Sequence, residues 1–125
     1  KKKTVVLPFG TGTTALGIVA AIHEAGLDMR VIGVSVSRER KKCLEGAHEL
    51  LDGAALKKLE VDDQYAGKYG DRHAVDEEIR RAFLRKTGIF PDPIYNSRVA
   101  GFLHQHPVSD AIVVHTGGQL NNALL

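Results

Sequence analysis

The sequence LPFGTGTTALG, near the amino terminus, combines residue types that bind a small anion. Its glycines allow positive φ angles and a close approach of the backbone to a ligand. Its threonines can donate hydrogen bonds, and the unpaired amides of a following helix add the positive end of a helix dipole. The residues concerned are Gly10, Thr11, Gly12, Thr13 and Thr14. We predict a site for the phosphate of a monoester, although a tight turn capped by threonine explains the motif equally well when it is taken alone.

A dinucleotide is the alternative ligand, because the pattern G-x-G-x-x-A starting at Gly10 also occurs in dinucleotide-binding turns. Such a site needs an acidic residue at the end of the second strand, where this chain has Ser35, Ser37 and Arg38. NAD is therefore disfavoured, whereas Arg38 could bind the additional phosphate of NADP. A Walker-type loop is excluded because no Gly-Lys-Ser/Thr follows the glycines.

Alternating strand and helix patterns must position this turn. Apolar and β-branched runs predict strands at residues 4–9, 30–36, 56–61 and 110–115. Helical spacing predicts helices from Ala15 towards Gly26, at residues 39–51 and 73–87, and through residues 99–103, with a loop at 62–71 and an extended turn at 90–98. We expect an α/β protein, a Rossmann-like three-layer α/β/α sandwich with a mostly parallel sheet. A second glycine turn, Thr116-Gly117-Gly118, should then lie at the same sheet edge as the first.

Composition narrows the possible functions of the chain. Its 125 residues are 43% hydrophobic and 26% charged, which suits one globular domain. The net charge of +2 is small and dispersed, so no nucleic-acid partner is expected. One cysteine, Cys43, cannot form an internal disulfide, and no apolar run is long enough to span a membrane, so we expect a cytoplasmic protein. No metal site is expected, because His104 and His106 have no evident third ligand. Because the chain opens on a strand at Lys1 and stops soon after Gly118, we also expect a piece of a longer polypeptide.

Five segments, in the order VVLPFGTGTTALG, VIGVSVSR, KYGD, PDPIYNSR and VVHTGG, resemble the pyridoxal-phosphate enzymes of the tryptophan-synthase-β fold type. Within that type the resemblance is to the D-cysteine desulfhydrase and 1-aminocyclopropane-1-carboxylate deaminase family. It implies that residues 11–14 bind the 5′-phosphate of pyridoxal phosphate. It also implies that residues 1–125 form one segment of the large, cofactor-binding domain of a two-domain enzyme, without its small domain.

The resemblance assigns further roles around the cofactor. Tyr69 and Tyr95 match two tyrosines that contact the substrate, and phenols can donate a hydrogen bond to a carboxylate or move a proton. Asn96 stands where the family holds a residue near the pyridine nitrogen, a glutamate in the deaminases and typically a small hydroxyl residue in the desulfhydrases. Thr116 matches a position near the ring, as in the desulfhydrases. Ser97-Arg98 replaces the usual Gly-Lys, which leaves the choice of substrate open.

The implied activity is that of a lyase or deaminase that converts a small amino acid, D-cysteine-like or 1-aminocyclopropane-1-carboxylate, to a 2-oxo acid and ammonia. In this family the Schiff-base lysine lies upstream of the glycine turn, so this chain alone should be inactive, and the parent enzyme should be a homodimer. Two alternatives stay open at this point. One is a non-catalytic Rossmann-like module that binds NADP or another phosphorylated metabolite, and the other is a folding fragment with an incomplete ligand edge and an exposed apolar flank.

Overall fold

A computed structural model describes residues 3–122, along which strands and helices alternate. In chain order the elements are β1 (Thr4–Phe9), α1 (Thr13–Glu24), β2 (Arg30–Ser35), α2 (Arg40–Leu50), α3 (Gly53–Leu56), β3 (Leu59–Asp62), α4 (Glu77–Thr87), α5 (Asn96–Gln105), β4 (Ala111–Val113) and a 3-10 helix (Gln119–Asn122). Residues 1–2 and 123–125 lie outside the described range.

The strands form one parallel sheet in the order β3-β2-β1-β4. β1 is buried along its whole length because it pairs with β2 on one side and β4 on the other. Thr4 is opposite Arg30 and Ala111, and Phe9 is opposite Ser35. Since all pairs are parallel, the segments that follow β1, β2 and β4 leave the sheet at the same edge.

Helices cover both faces of the sheet. Alternate residues of β1 point to opposite faces, so Val5 and Leu7 pack under α1, α2 and α3, whereas Val6 packs under α5. Further residues of the first core are Ala15, Val19, Ile22, Cys43 and Ala47, and those of the second are Ile32, Val34, Val99 and Phe102. The expected three-layer α/β/α sandwich with a parallel sheet is therefore confirmed.

Two element boundaries differ from the prediction because a carboxylate caps a helix there. The third strand begins at Leu59 rather than at residue 56, since Asp52 accepts a hydrogen bond of 2.9 Å from the Ala55 amide and starts the short helix α3. The fourth helix begins at Glu77 rather than at residue 73, because Asp76 accepts from the Glu78 amide at 2.8 Å.

The carboxyl-terminal elements also differ in extent. The turn predicted at residues 90–98 gives way to α5 at Asn96, and the last strand covers Ala111–Val113 rather than residues 110–115. Among the strands of residues 3–122, β4 has a neighbour on one side only, and its Ile112 and Val113 side chains are 42% and 38% exposed. Beside it, α4, α5 and β4 border a largely apolar groove of about 760 Å³. The chain thus has an exposed apolar flank at this edge.

Within residues 3–122, no helix has the length and apolar character needed to cross a membrane.

Candidate functional site

The two glycine turns, after β1 and β4, meet at one cavity of about 450 Å³. This is the arrangement expected from parallel strands, whose carboxyl ends share one edge. The cavity brings together seven of the eight residues that sequence analysis assigned to a site: Thr11, Gly12, Thr13, Thr14, Tyr69, Tyr95 and Thr116. Asn96, the eighth, is buried and does not line it.

Gly12 is required by the geometry of the first turn. It has a φ of +93°, a left-handed conformation that side chains with a β-carbon rarely adopt. A β-carbon at this position would also lie 2.4 Å from Cζ of Phe9, whose ring is 1% exposed and packs beneath the turn. Only glycine fits here, and the backbone of α1 therefore starts at the cavity with no side chain on its N-cap residue.

The start of α1 differs from the starts of the other helices. Within residues 3–122, an aspartate accepts a hydrogen bond of 2.7 to 2.9 Å from an amide at or near the start of each of the other four α-helices. These aspartates are Asp63 for α2, Asp52 for α3, Asp76 for α4 and Asp92 for α5. Within residues 3–122, no side chain caps the start of α1. Its first amides, the positive end of the dipole and the adjacent hydroxyls are thus available to an anion in the cavity.

The threonines of the turn complete this surface. Thr11, Thr13 and Thr14 are exposed at the cavity, and the hydroxyls of Thr11 and Thr13 are hydrogen-bonded to each other at 3.2 Å. Because a hydroxyl both donates and accepts, each can rotate to donate to a ligand oxygen. The group is neutral and rich in donors, which suits phosphate oxygens.

Tyr69 and Tyr95 meet at the cavity although 26 positions separate them. Their hydroxyls are hydrogen-bonded to each other, and their rings are 6.1 Å apart in an edge-on arrangement. The hydrogen bond with Tyr69, together with burial, raises the pKa of the Tyr95 phenol above its ordinary value. Tyr95 therefore stays protonated at neutral pH, which suits the donation of a hydrogen bond better than the removal of a proton.

Asp92 holds the turn that carries Tyr95. Its fully buried carboxylate accepts hydrogen bonds from the amides of Ile94 at 3.1 Å, Tyr95 at 2.8 Å and Asn96 at 2.9 Å. Sequence analysis missed this residue, although an acid between two prolines just before a helix is a recognisable capping signal.

Asn96 joins this turn to the second glycine turn. Its amide nitrogen donates to Asp92 at 2.7 Å and to the carbonyl of Gly117 at 3.0 Å, and its oxygen accepts from the Thr116 amide at 3.4 Å. Both N–H groups of the side chain are thus bonded to protein atoms. The predicted position of Asn96 beside a pyridine nitrogen stays a prediction.

Arg98 also stabilises the turn that carries Tyr95. Its side chain is fully buried, and its Nη1 atom donates to the carbonyls of Pro93 at 2.7 Å and Ile94 at 2.6 Å. Burial lowers the pKa of the guanidinium, and the charges of Asp71 and Asp92 oppose that effect. Removal of either Asp92 or Arg98 would leave the other charge buried with less compensation.

No family model and no curated protein sequence matches this chain. A solved structure does match it, one described as a crystal structure analysis of the ACC deaminase homologue. The two share a TM-score of 0.71 and 21% sequence identity over 99% of this chain, which covers 44% of the other. The chain thus spans less than half the length of that neighbour, and at this identity the likeness establishes the fold.

Proposed function

We propose that this chain is the cofactor-binding segment of a pyridoxal-phosphate-dependent lyase or deaminase that acts on a small amino acid. The observation that carries the proposal is the uncapped start of α1 at a cavity that two tyrosines also line. The description of the structural neighbour as an ACC deaminase homologue supports the same enzyme class.

The residues of the cavity fit the phosphate of the cofactor. Gly12 allows the left-handed turn that leads into α1, and Thr11, Thr13 and Thr14 supply hydroxyl donors beside the first amides of that helix. An anion at a helix start gains about 0.3–1 kcal/mol when exposed and up to about 2 kcal/mol when partly buried. Thr116, in the second turn, would lie towards the ring, with Asn96 fixing the backbone of that turn.

When bound, the cofactor would supply the electron-withdrawing ring that this chemistry requires. The chain itself contributes Tyr69 and Tyr95, which line the same cavity and would donate hydrogen bonds to the substrate carboxylate. Because the pKa of the Tyr95 phenol is raised, this side chain is protonated at neutral pH. The products of the whole enzyme would be a 2-oxo acid and ammonia, from a substrate such as D-cysteine or 1-aminocyclopropane-1-carboxylate.

The reaction also needs a lysine that bonds the cofactor and a second domain that closes over the substrate. We propose that both belong to further polypeptide of a homodimeric parent enzyme, and that residues 1–125 alone are inactive. The proposal is supported by the length of the neighbour, of which this chain covers 44%, and by the exposed apolar residues Ile112 and Val113 at the free edge of β4.

A second candidate function is a non-catalytic module that binds NADP or another phosphorylated metabolite. It is favoured by one observation, the presence of Arg38 in the cavity lining, at the end of the strand where dinucleotide sites contact the ribose.

Calorimetric titration of the chain tests the proposal. Pyridoxamine 5′-phosphate is the better probe because it has no aldehyde and cannot react with surface lysines. We expect it to bind more tightly than pyridoxamine, by up to about 2 kcal/mol or roughly thirtyfold, because only the former has a phosphate. Equal affinity for the two, or tighter binding of NADP than of pyridoxamine 5′-phosphate, would contradict the proposal.

A further inference from the structure

The cavity contains a single charged side chain among the lining residues of the described range. That residue is Arg38, which follows β2 and lines the same cavity as the first glycine turn. The rest of the lining consists of glycines, hydroxyl residues, two tyrosines and small apolar residues. No carboxylate of residues 3–122 forms an ion pair with Arg38. The local charge of the cavity is therefore positive.

The backbone of Arg38 is held in place although its side chain is exposed. The buried hydroxyl of Ser35 donates a hydrogen bond to the Arg38 carbonyl, and the thiol of Cys43 contacts the same oxygen at 3.8 Å. The amide of Val36, two residues before Arg38, donates a hydrogen bond of 3.0 Å to the Phe9 carbonyl and so connects this segment to the end of β1. These bonds fix the point at which the Arg38 side chain leaves the backbone beside the cavity.

We infer that Arg38 is the counter-charge of the ligand phosphate and makes this cavity selective for phosphate monoesters. A phosphate monoester carries a charge of about −1.5 to −2 at neutral pH, whereas the amides and hydroxyls of the turn are neutral donors. A guanidinium supplies a full positive charge and can donate two parallel hydrogen bonds to phosphate oxygens. This inference rests on the proposed function and adds a ligand-binding residue that belongs to neither the glycine turn nor the tyrosine pair.

Arg38→Gln tests the inference in the same chain by calorimetric titration with pyridoxamine 5′-phosphate. We expect roughly tenfold weaker binding, equivalent to about 1.4 kcal/mol, and a flatter dependence of affinity on salt. Arg38→Lys, which keeps the charge, should retain an affinity within roughly threefold of the unmodified chain. The matched control is Arg40→Gln, which removes an equal charge two residues away from an exposed side chain outside the cavity and should leave the affinity unchanged.

The possible results separate this inference from the proposed function. If the unmodified chain and Arg38→Gln bind pyridoxamine 5′-phosphate equally, the inference is wrong and the proposed function stands. If the unmodified chain binds neither this ligand nor NADP, both fail. If NADP binds more tightly than pyridoxamine 5′-phosphate and only NADP binding is lost in Arg38→Gln, Arg38 serves a dinucleotide and the inference is overturned. Circular dichroism of each variant establishes that it is folded.

Discussion

Substitution of Gly12 by alanine should destabilise the fold through two separate costs. The left-handed conformation at a φ of +93° costs a residue with a β-carbon about 1–2 kcal/mol. The new methyl group would also lie 2.4 Å from Cζ of Phe9, and the ring has little room to move because it is buried and also packs closely against Gly33. Overpacking of this kind costs about 1–3 kcal/mol. Alanine also makes the unfolded chain less flexible than glycine does, which stabilises the fold by about 0.4–1 kcal/mol. We therefore expect the free energy of unfolding to fall by roughly 2–4 kcal/mol.

Urea unfolding followed by circular dichroism measures this loss as a lower transition midpoint at an unchanged slope. Gly10→Ala is the matched control, because a β-carbon at Gly10 meets no atom within 4 Å and its φ is not positive. Phe9→Leu in the Gly12→Ala background should relieve the steric cost of the contact and leave the cost of the left-handed backbone. The double variant should therefore lose less stability than the sum of the losses in the two single variants. If Gly12→Ala were as stable as Gly10→Ala, the described geometry of the first turn would be wrong.

Two further predictions concern the second half of the site. Asp92→Asn should lower the free energy of unfolding by about 3 kcal/mol, because a buried carboxylate that accepts three backbone hydrogen bonds is lost and Arg98 keeps less compensation for its buried charge. Equal urea midpoints for Asp92→Asn and for Glu49→Gln, an exposed control on α2, would refute this. Tyr69→Phe should lower the pKa of Tyr95 towards its ordinary value, since the hydrogen bond that favours the protonated phenol disappears, and tyrosinate absorbance on alkaline titration measures it. Because the pKa of Tyr95 is raised in the folded chain, its contribution to stability is complete below the unfolded value of 10.0 and is lost as pH rises above it. An unaltered Tyr95 titration in Tyr69→Phe, or the same change in Tyr65→Phe, would show that the tyrosine pair is not the cause.

Most of the fold could be predicted from local patterns. The predicted bounds of β1 are those observed, because a short apolar run that ends at a glycine is typical of a buried central strand. The misplaced boundaries depend on single side chains: Asp52 starts a helix of four residues that periodicity cannot detect, and Asp76 lies outside the helix that it caps.

The site was predictable only in part, for a physical reason. The meeting of the two glycine turns follows from parallel pairing, so the pattern of elements was sufficient to predict it. The contact between Tyr69 and Tyr95 depends on how two loops pack, and the sequence pointed to these residues only through resemblance to a family. The bonds of Asn96 to the second turn likewise join positions about 20 residues apart, which no local pattern encodes.

The central claim is that the free amides at the start of α1 bind a phosphate, and amide chemical shifts test it most directly. In a titration of the isotope-labelled chain with pyridoxamine 5′-phosphate, we expect saturable shifts of the amide signals of Gly12, Thr13 and Thr14. The amides at the start of α4 provide the internal reference, because Asp76 already caps that helix. Shifts confined to other parts of the chain, or equal shifts at α1 and α4, would contradict the account.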